Sequence, residues 1–284
     1  MKNWSEFQYQ IPDVVKFRKN LSGKRYETID NTIYTFDIET SSFLDLDGKQ
    51  INGCDYLKLN DKDKEKAIPH STMYIWMFGI NNEVYYGRTW DEFIEFLNRL
   101  EDRNRQLKIV HVHNLSFEFE FLNSVIEIDR VVARKSRKVM EAFAKNFNIM
   151  FKCSYFMTNC ALQFVPEVFG LKTKKLVGSL DYDLIRTPET PLTEDELSYC
   201  EHDCLVIYEY IKKEILEYGN VGNIPMTSTG KVRRDLKNKV ARDYSYKAKT
   251  QKAINTDPHI YNMLLDAFAR RLCSFIICLY RCCA

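Results

Sequence analysis

The spacing of apolar and polar positions predicts alternating strands and helices in the first half of the chain. Residues 32–38, TIYTFDI, are rich in β-branched and aromatic side chains and predict a buried strand, which the polar residues 40–42 end. Residues 71–89 alternate around Asn81-Asn82 and predict a β-hairpin. The following segment, TWDEFIEFLNRLEDR, has apolar residues at helical spacing behind the N-cap residue Thr89 and predicts an amphipathic helix.

The pattern continues as a mixture of the two element types. It predicts a strand over 108–113, a helix over 115–126, two strands around a basic turn within 132–154, and a helix that Gly170 ends. The clearest helix covers 192–219, with Thr193 as N-cap, Glu196 as the acid of a capping box and Gly219 at its end. Residues 45–70 are polar and dense in charge and predict a solvated insert with little structure. The expected fold is an α/β sandwich.

Composition and charge narrow the class of protein. The chain has 284 residues with 45% hydrophobic and 28% charged residues, as in ordinary globular proteins. Its start lacks the apolar run of a signal peptide, and no run reaches the roughly 18 apolar residues of a membrane helix. Nine cysteines without a repeated CxxC pair favour reduced thiols. We therefore expect a cytoplasmic, monomeric protein without a membrane partner.

Three groups of residues are candidates for chemistry. Asp37 and Glu39 come at the end of the strand over 32–38, where an unpaired carboxylate is costly and a divalent cation is a natural partner. Glu118 lies one turn into the helix after His-Asn-Leu-Ser-Phe, residues 113–117. Tyr199 and Asp203 are four residues apart on the long helix and therefore project from one face.

These groups, in this order, resemble the three exonuclease motifs of family B DNA polymerases: Asp-x-Glu on a strand, Asn-x-x-Phe-acid, and Tyr-x-x-x-Asp. The wider class is the four-carboxylate exonucleases, in the subclass that carries a tyrosine. Two forms, His-Asn-Leu-Ser-Phe and Gly-Ser-Leu-Asp-Tyr at 178–182, are similar to the protein-primed polymerases of phages and linear plasmids. The likeness spans roughly residues 30–235.

The resemblance implies a fold and an activity. The fold would be a ribonuclease H-like domain over residues 1–218, a mixed sheet flanked by helices, followed over 219–284 by a basic linker and an incomplete entry into the polymerase palm. The activity would be 3′→5′ exonuclease cleavage of single-stranded DNA with two Mg²⁺ or Mn²⁺ ions. Asp37 would bridge both ions, Glu39 and Asp203 would complete one site, and Glu118 would support the other. Tyr199 would orient the attacking water.

The same resemblance implies contacts with the DNA. Residues that would hold the frayed 3′ end are Thr40, Asn114, Phe117, Ser154 and Tyr155, with the Phe117 ring stacked on a base or, alternatively, packed in the core. Relatives place a catalytic lysine near the Gly-Ser-Leu-Asp-Tyr segment, and here Lys174 and Lys175 both precede it, with Lys175 taken as the candidate. A terminal protein that primes replication is a further possible partner.

The chain departs from the family pattern in two places. Glu118 stands where the class more often has Asp, and its extra methylene moves the carboxylate by about one ångström. Neither Asp-x-x-Ser-Leu-Tyr-Pro nor Asp-Thr-Asp occurs, so the polymerase carboxylates are absent from these 284 residues. The last 15 or so residues, RRLCSFIICLYRCCA, have an abruptly different composition, which suggests a frameshifted or truncated polymerase gene.

Other interpretations of these residues remain open. The protein could be a stand-alone nuclease of the same class acting on RNA, or an inactive DNA-binding remnant. His111 and His113, or Cys200, His202 and Cys204, could be metal ligands, although zinc-like spacing is lacking and structural roles are favoured. Two basic segments, 133–138 and 231–252, are either solvated surface or contacts for a nucleic-acid backbone. The second carries nine Lys or Arg against two Asp.

Overall fold

The computed structural model describes residues 1–8, 11–19, 26–103, 105–176, 181 and 184–242. The strands are β1 (Lys2–Asn3), β2 (Val14–Lys19), β3 (Tyr26–Asp30), β4 (Tyr34–Leu46), β5 (Lys49–Ile51), β6 (Ile68–Ile80), β7 (Glu83–Gly87), β8 (Lys108–Val112), β9 (Arg130–Ala133), β10 (Val139–Ala144) and β11 (Ile149–Cys153). The helices are α1 (Gly53–Leu57), α2 (Asp61–Lys66), α3 (Trp90–Arg103), α4 (Ser116–Val125), α5 (Tyr155–Thr158), α6 (Val165–Phe169), α7 (Glu194–Tyr218) and α8 (Ser228–Arg242).

The chain divides into two compact units, Met1–Ser228 and Thr229–Ala284. Residues 243–284, which include the segment suspected to be out of frame and most of the expected palm entry, lie outside the described residues. Within the described ranges, no helix combines the length and the apolar character needed to cross a membrane.

The central sheet of the first unit is mixed. Its strand order is β1-β7-β6-β4-β8-β11-β10-β9, with β5 paired to the far end of β4. Strand β4 runs antiparallel to β6 and parallel to β8, and β8 runs parallel to β11. The inner order β7-β6-β4-β8-β11 is that of a ribonuclease H-like sheet, so the predicted fold is confirmed.

Alternation along β4 sends successive side chains to opposite faces of the sheet. Phe36 and Ile38 pack into a core with Phe93 and Phe96 of α3 and with Leu122 of α4. The intervening positions, including Asp37, face the side on which α7 crosses β4 and β6. The acidic residues of the strand are therefore turned toward the long helix.

Helix α7 has the ends that the sequence predicts. Thr193 and Glu196 form a capping box at its start, and Gly219 ends it with φ +88°. The helix lies close to β6 at Gly79, where an added Cβ would come 2.1 Å from Oγ1 of Thr35 and 3.8 Å from Cβ of Cys204. Because α7 approaches the sheet closely at Cys204, the preceding residue, Asp203, lies over β4, the strand that carries Asp37.

Several predicted boundaries are wrong. Strand β4 does not end near residue 40 but continues to Leu46, because a bulge between Glu39 and Thr40 shifts the register without ending its pairing with β6. The insert over 45–70 is largely exposed as expected, yet it contains β5, α1 and α2, which Asn52 and Asn60 cap. The region 132–154 contributes to three strands, and the helix ending at Gly170 is only five residues long.

Candidate active site

Three carboxylates from two distant chain segments meet above the middle of the sheet. Asp37 and Glu39 lie on β4 on either side of the buried Ile38, and Asp203 lies in the third turn of α7. One carboxylate oxygen of each lies within 4.8 Å of the others. The bulge after Glu39 falls directly beside this group, as bulges often do near active sites.

Glu118 joins the group through Asp37. It is 3% exposed, in the first turn of α4, and its carboxyl group forms a hydrogen bond with the carboxyl group of Asp37. Such a bond between two acids requires a shared proton. Glu118 therefore lies at one side of the three-carboxylate group and contacts it through a single member.

Burial and mutual repulsion raise the pKa values of these acids. Burial, and then the charges of Asp203 and Glu39, raise the pKa of Asp37 well above its ordinary value. Burial and the charge of Asp203 raise the pKa of Glu39 to about 7. Burial and the nearby Asp37 raise the pKa of Glu118. The cluster is electrostatically unfavourable without a positive partner.

The donor set fits a hard divalent cation. Oδ1 of Asp203 and Oε2 of Glu118 are buried and have no hydrogen-bond partner among the described residues. Buried carboxylate oxygens of this kind are normally paired or coordinate a metal. Within the described residues, the group Asp37, Glu39 and Asp203 is the one whose ligand atoms converge closely enough to hold an ion. Oxygen ligands suit Mg²⁺ and Mn²⁺.

Lys175 places a positive charge in contact with the cluster. Its ammonium group donates a 2.7 Å hydrogen bond to Oδ2 of Asp203 and lies 5.2 Å from the ring centre of Tyr199. Burial alone would lower the pKa of Lys175, but Asp203, Asp37 and Glu39 outweigh it and raise that pKa. Lys174 is exposed and lines a groove with Gln163, Pro166 and Lys175 itself. The structure thus places Lys175, of the two lysines, at the cluster.

Tyr199 packs between the helix and the sheet. It is 6% exposed and shares a core cluster with Tyr74, Ile75 and Cys200. It lies one turn before Asp203 on the same face of α7. Its ring therefore forms a wall beside Asp203 and Lys175.

A cleft opens from the cluster along β4. It has a volume of about 330 Å³ and is lined by Glu39, Thr40, Ser41, Ser42, Tyr74, Phe117, Leu184 and Arg186. Thr40 and Phe117, both predicted substrate contacts, face this cleft. Phe117 is 42% exposed, so its ring is not a core residue.

The other predicted contacts surround the turn between β8 and α4. Asn114 is exposed and holds the turn with φ +64°. Ser154 is 1% exposed, and its hydroxyl lies 3.0 Å from Nδ1 of His113. The Tyr155 ring packs edge-on against His113 with centroids 5.8 Å apart, and Tyr155 is 36% exposed. The residues of Gly-Ser-Leu-Asp-Tyr other than Asp181 lie outside the described residues.

Sequence reasoning missed the ion pair that forms the floor of the cleft. Arg186 is 4% exposed and donates to Oε1 of Glu196 through Nη2 at 2.6 Å and Nε at 3.1 Å. Its backbone N–H donates to Oγ of Ser41 at 2.9 Å. Glu196 was predicted only as a helix cap, and no local pattern marks Arg186 as its partner.

The rival histidine and cysteine sites do not form among the described residues. His111 is fully buried in the sheet, and burial with the charge of Lys152 lowers its pKa to about 3. Cys200 and Cys204 pack in core clusters, and His202 contacts the carbonyl of Ser198 through Nδ1. No His or Cys of the described chain belongs to a converging ligand group. None of the five described cysteines forms a disulfide bond.

Comparison with known proteins adds evidence on the fold. No protein-family model matches the sequence, and no curated protein matches it significantly. The structure is similar to Phi29 DNA polymerase complexed with primer-template DNA, with a TM-score of 0.50, 14% identity and coverage of 74% of this chain and 35% of that chain. A complex of the same polymerase with single-stranded DNA gives 0.49 and 14%, covering 66% and 32%. The two proteins share a fold. This chain spans about a third of the polymerase chains that it matches.

Proposed function

We propose that this chain is a metal-dependent 3′→5′ exonuclease acting on single-stranded DNA, and that it corresponds to the N-terminal part of a protein-primed family B DNA polymerase. The observation that carries the proposal is the convergence of Asp37 and Glu39 of the first motif with Asp203 of the third, with ligand oxygens within 4.8 Å. The similarity in fold to a polymerase bound to primer-template DNA supports the same assignment.

The carboxylates would hold the metal. Asp37 interacts with Glu118 and also converges with Glu39 and Asp203, so it would be suited to serve two ions, with Glu39 and Asp203 completing one site and Glu118 the second. Two divalent ions bound there, Mg²⁺ or Mn²⁺, would supply an activated water and stabilise the leaving oxygen.

The remaining residues would bind and orient the substrate. The Phe117 ring, exposed at the cleft, would stack on the terminal base, and Thr40 would hydrogen-bond the terminal nucleotide. Asn114 and Tyr155 would contact the DNA strand beside the turn between β8 and α4. Ser154 is 1% exposed and would act at the substrate indirectly: its hydroxyl lies 3.0 Å from Nδ1 of His113, and the Tyr155 ring packs against that imidazole.

Lys175 and Tyr199 would act at the reacting phosphate. The ammonium of Lys175, held by Asp203 and by the face of Tyr199, is placed to stabilise negative charge on the scissile phosphate. The Tyr199 hydroxyl would orient the attacking water. Both roles depend on α7 presenting Tyr199 and Asp203 from one face.

The test is cleavage of 5′-labelled single-stranded DNA by purified protein in Mg²⁺ or Mn²⁺. The proposal expects a ladder of products shortened from the 3′ end, and its loss in the double variant Asp37→Asn plus Glu39→Gln. Glu120→Gln is the matched control, because Glu120 lies on the same helix as Glu118 and is exposed. Cleavage of an RNA strand alone would instead identify an RNA nuclease, and no metal-dependent cleavage of either strand would identify an inactive remnant.

A further inference from the structure

The hairpin formed by β9 and β10 carries a concentrated positive charge. Residues 130–138, RVVARKSRK, contain five Lys or Arg and no acid, and all nine are exposed. The net charge of +2 includes +5 from this segment and +7 from residues 231–252, so the remaining residues sum to −10. The hairpin is thus one of two basic segments in a chain whose other residues are acidic overall.

Four of these cations form no ion pair with any residue that the structure describes. Arg130 pairs with Glu141 at 3.3 Å, whereas Arg134, Lys135, Arg137 and Lys138 make no ion pair within the described part of the chain. Arg137 has φ +55°, and the backbone N–H of Arg134 donates to the carbonyl of Lys138, so the turn has a defined shape. The four side chains are available to an external anion.

The sheet register places this turn at the same end of the strands as the carboxylate cluster. Glu141 of β10 pairs with Lys152 of β11, Cys153 pairs with Val112 of β8, and Val112 pairs with Phe36 of β4, the residue before Asp37. Strand β10 runs antiparallel to the other three strands. Its first residue, Val139, therefore lies at the end of the sheet where those three strands finish and the carboxylate cluster begins.

A hydrogen bond joins the strand that follows the turn to the start of the helix that carries Phe117. The N–H of Val139 donates a 2.9 Å hydrogen bond to Oγ of Ser116, the residue before Phe117. Helix α4 also packs against β10. The basic turn is therefore fixed beside the helix start that presents the exposed Phe117 ring to the cleft.

We infer that Arg134, Lys135, Arg137 and Lys138 bind the sugar-phosphate backbone of the DNA strand whose 3′ end enters the cleft. This inference rests on the proposed function and adds a binding surface outside the catalytic group. Sites that bind single-stranded DNA combine a positively charged surface with aromatic side chains that stack on the bases. The four cations of this turn and the nearby Phe117 ring provide that combination. Contacts of this kind follow the charge of the phosphates and not the sequence of bases.

The experiment measures binding of 5′-labelled oligo(dT) of 16 nucleotides by fluorescence anisotropy without divalent metal, at several salt concentrations. The quadruple variant Arg134→Gln, Lys135→Gln, Arg137→Gln and Lys138→Gln is compared with wild type. Each lost phosphate contact lowers the slope of log K against log salt by about 0.7 on single strands, so we expect a reduction of about 1 to 3. The melting temperature should not change, because the turn is exposed.

A matched control neutralises four exposed cations far from the cluster: Arg105, Lys145, Lys212 and Lys213, each changed to Gln. Arg105 precedes β8 and Lys145 follows β10, which places both at the opposite edge of the sheet. This control should retain the wild-type slope. An unchanged slope in the turn variant, or the same loss in both variants, would overturn the inference.

A second readout separates this inference from the proposed function. In Mg²⁺ the turn variant should show a raised KM and an unchanged kcat on the 16-mer, while its KM on a trinucleotide stays at the wild-type value. If wild type cleaves single-stranded DNA but the variant loses neither salt slope nor affinity, the inference fails and the proposed function stands. If wild type neither binds nor cleaves, the proposed function fails.

Discussion

Lys175 donates a 2.7 Å hydrogen bond to Oδ2 of Asp203, and this contact connects the loop before α7 to the carboxylate cluster. The two residues are 28 positions apart, so the pairing exists only in the folded chain. It leaves Oδ1 of Asp203 without a hydrogen-bond partner among the described residues and directed at the cluster. One oxygen of Asp203 thus holds the lysine while the other remains for a metal.

Replacing Lys175 should abolish most of the cleavage without preventing metal binding. In Lys175→Met the scissile phosphate loses its positive partner, and we expect kcat to fall about 100-fold, the scale for loss of one preorganised charge-stabilising donor. Single-turnover cleavage of labelled DNA measures it. Lys174→Met is the control and should cleave at the wild-type rate, since Lys174 is exposed and it is Lys175 that donates to Asp203. Equal losses in both variants would contradict the assignment of Lys175.

Cleavage should require a glutamate at position 118, and neither Gln nor Asp should replace it fully. Its carboxyl group reaches Asp37 from the first turn of α4, so Glu118→Gln removes a ligand, and Glu118→Asp withdraws the carboxylate by one methylene. We expect both changes to lower kcat, with the larger loss in Glu118→Gln, in the cleavage assay with saturating Mg²⁺. A faster enzyme in Glu118→Asp would show that the glutamate is a defect in this site and not an adapted ligand.

Glu39→Gln should stabilise the metal-free protein at pH 8. The folded-state pKa of about 7 lies above the ordinary value of 4.5, so the protonated form is favoured on folding. The stability that the folded protein gains by keeping Glu39 protonated is fully present below pH 4.5 and is lost as the pH rises through 7. At pH 8 the folded wild type therefore carries the free-energy cost of a buried negative charge. Urea unfolding should give a gain on the order of 2 kcal/mol at pH 8 and none at pH 4.

The same variant should lose its advantage when metal is added. Mg²⁺ binds the folded wild type and raises its unfolding free energy by mass action, whereas Glu39→Gln lacks one ligand. Glu120→Gln should follow wild type under all of these conditions. If Glu39→Gln and wild type have equal stability at pH 8 without metal, Glu39 does not lie in a repulsive cluster.

Phe117→Ala should weaken substrate binding without affecting stability. The ring is 42% exposed, so its removal exposes little new core surface. Loss of stacking on one base corresponds to about 1–3 kcal/mol, and KM for single-stranded DNA should rise by about 10- to 100-fold. Phe164→Ala is the control, since Phe164 is 49% exposed and does not line the cleft. A drop in melting temperature with unchanged KM would identify Phe117 as a packing residue.

The sequence was sufficient to predict the fold because the elements that build it have strong local signals. The Thr193–Glu196 capping box, the Asn81-Asn82 turn and the helix after Thr89 all occur where predicted. The course of β4 was not predictable from its own residues. Its polar second half continues as a strand because β6 supplies hydrogen bonds across the bulge at Glu39, and pairing of that kind is a long-range property.

The candidate site was likewise only partly readable. The order of the motifs located Asp37, Glu39, Glu118, Tyr199 and Asp203, but the choice between Lys174 and Lys175 depends on which side chain the loop turns inward. The pairing of Arg186 with Glu196 beneath the cleft depends on tertiary contact alone, since nothing at ten residues' separation marks it. Ser154 was predicted to lie at the substrate. Its hydrogen bond to His113 could not be predicted, because the two residues meet only when β8 and α5 come together in the folded chain.

The central claim is that Asp37, Glu39 and Asp203 together bind a divalent cation. The most direct measurement is Mn²⁺ binding followed by electron paramagnetic resonance in wild type, Asp203→Asn and Glu120→Gln at the same pH and salt. We predict saturable binding in wild type and Glu120→Gln, and binding weaker by about tenfold or more in Asp203→Asn, because a buried carboxylate is lost from the cluster. Equal Mn²⁺ affinity in all three proteins would contradict it.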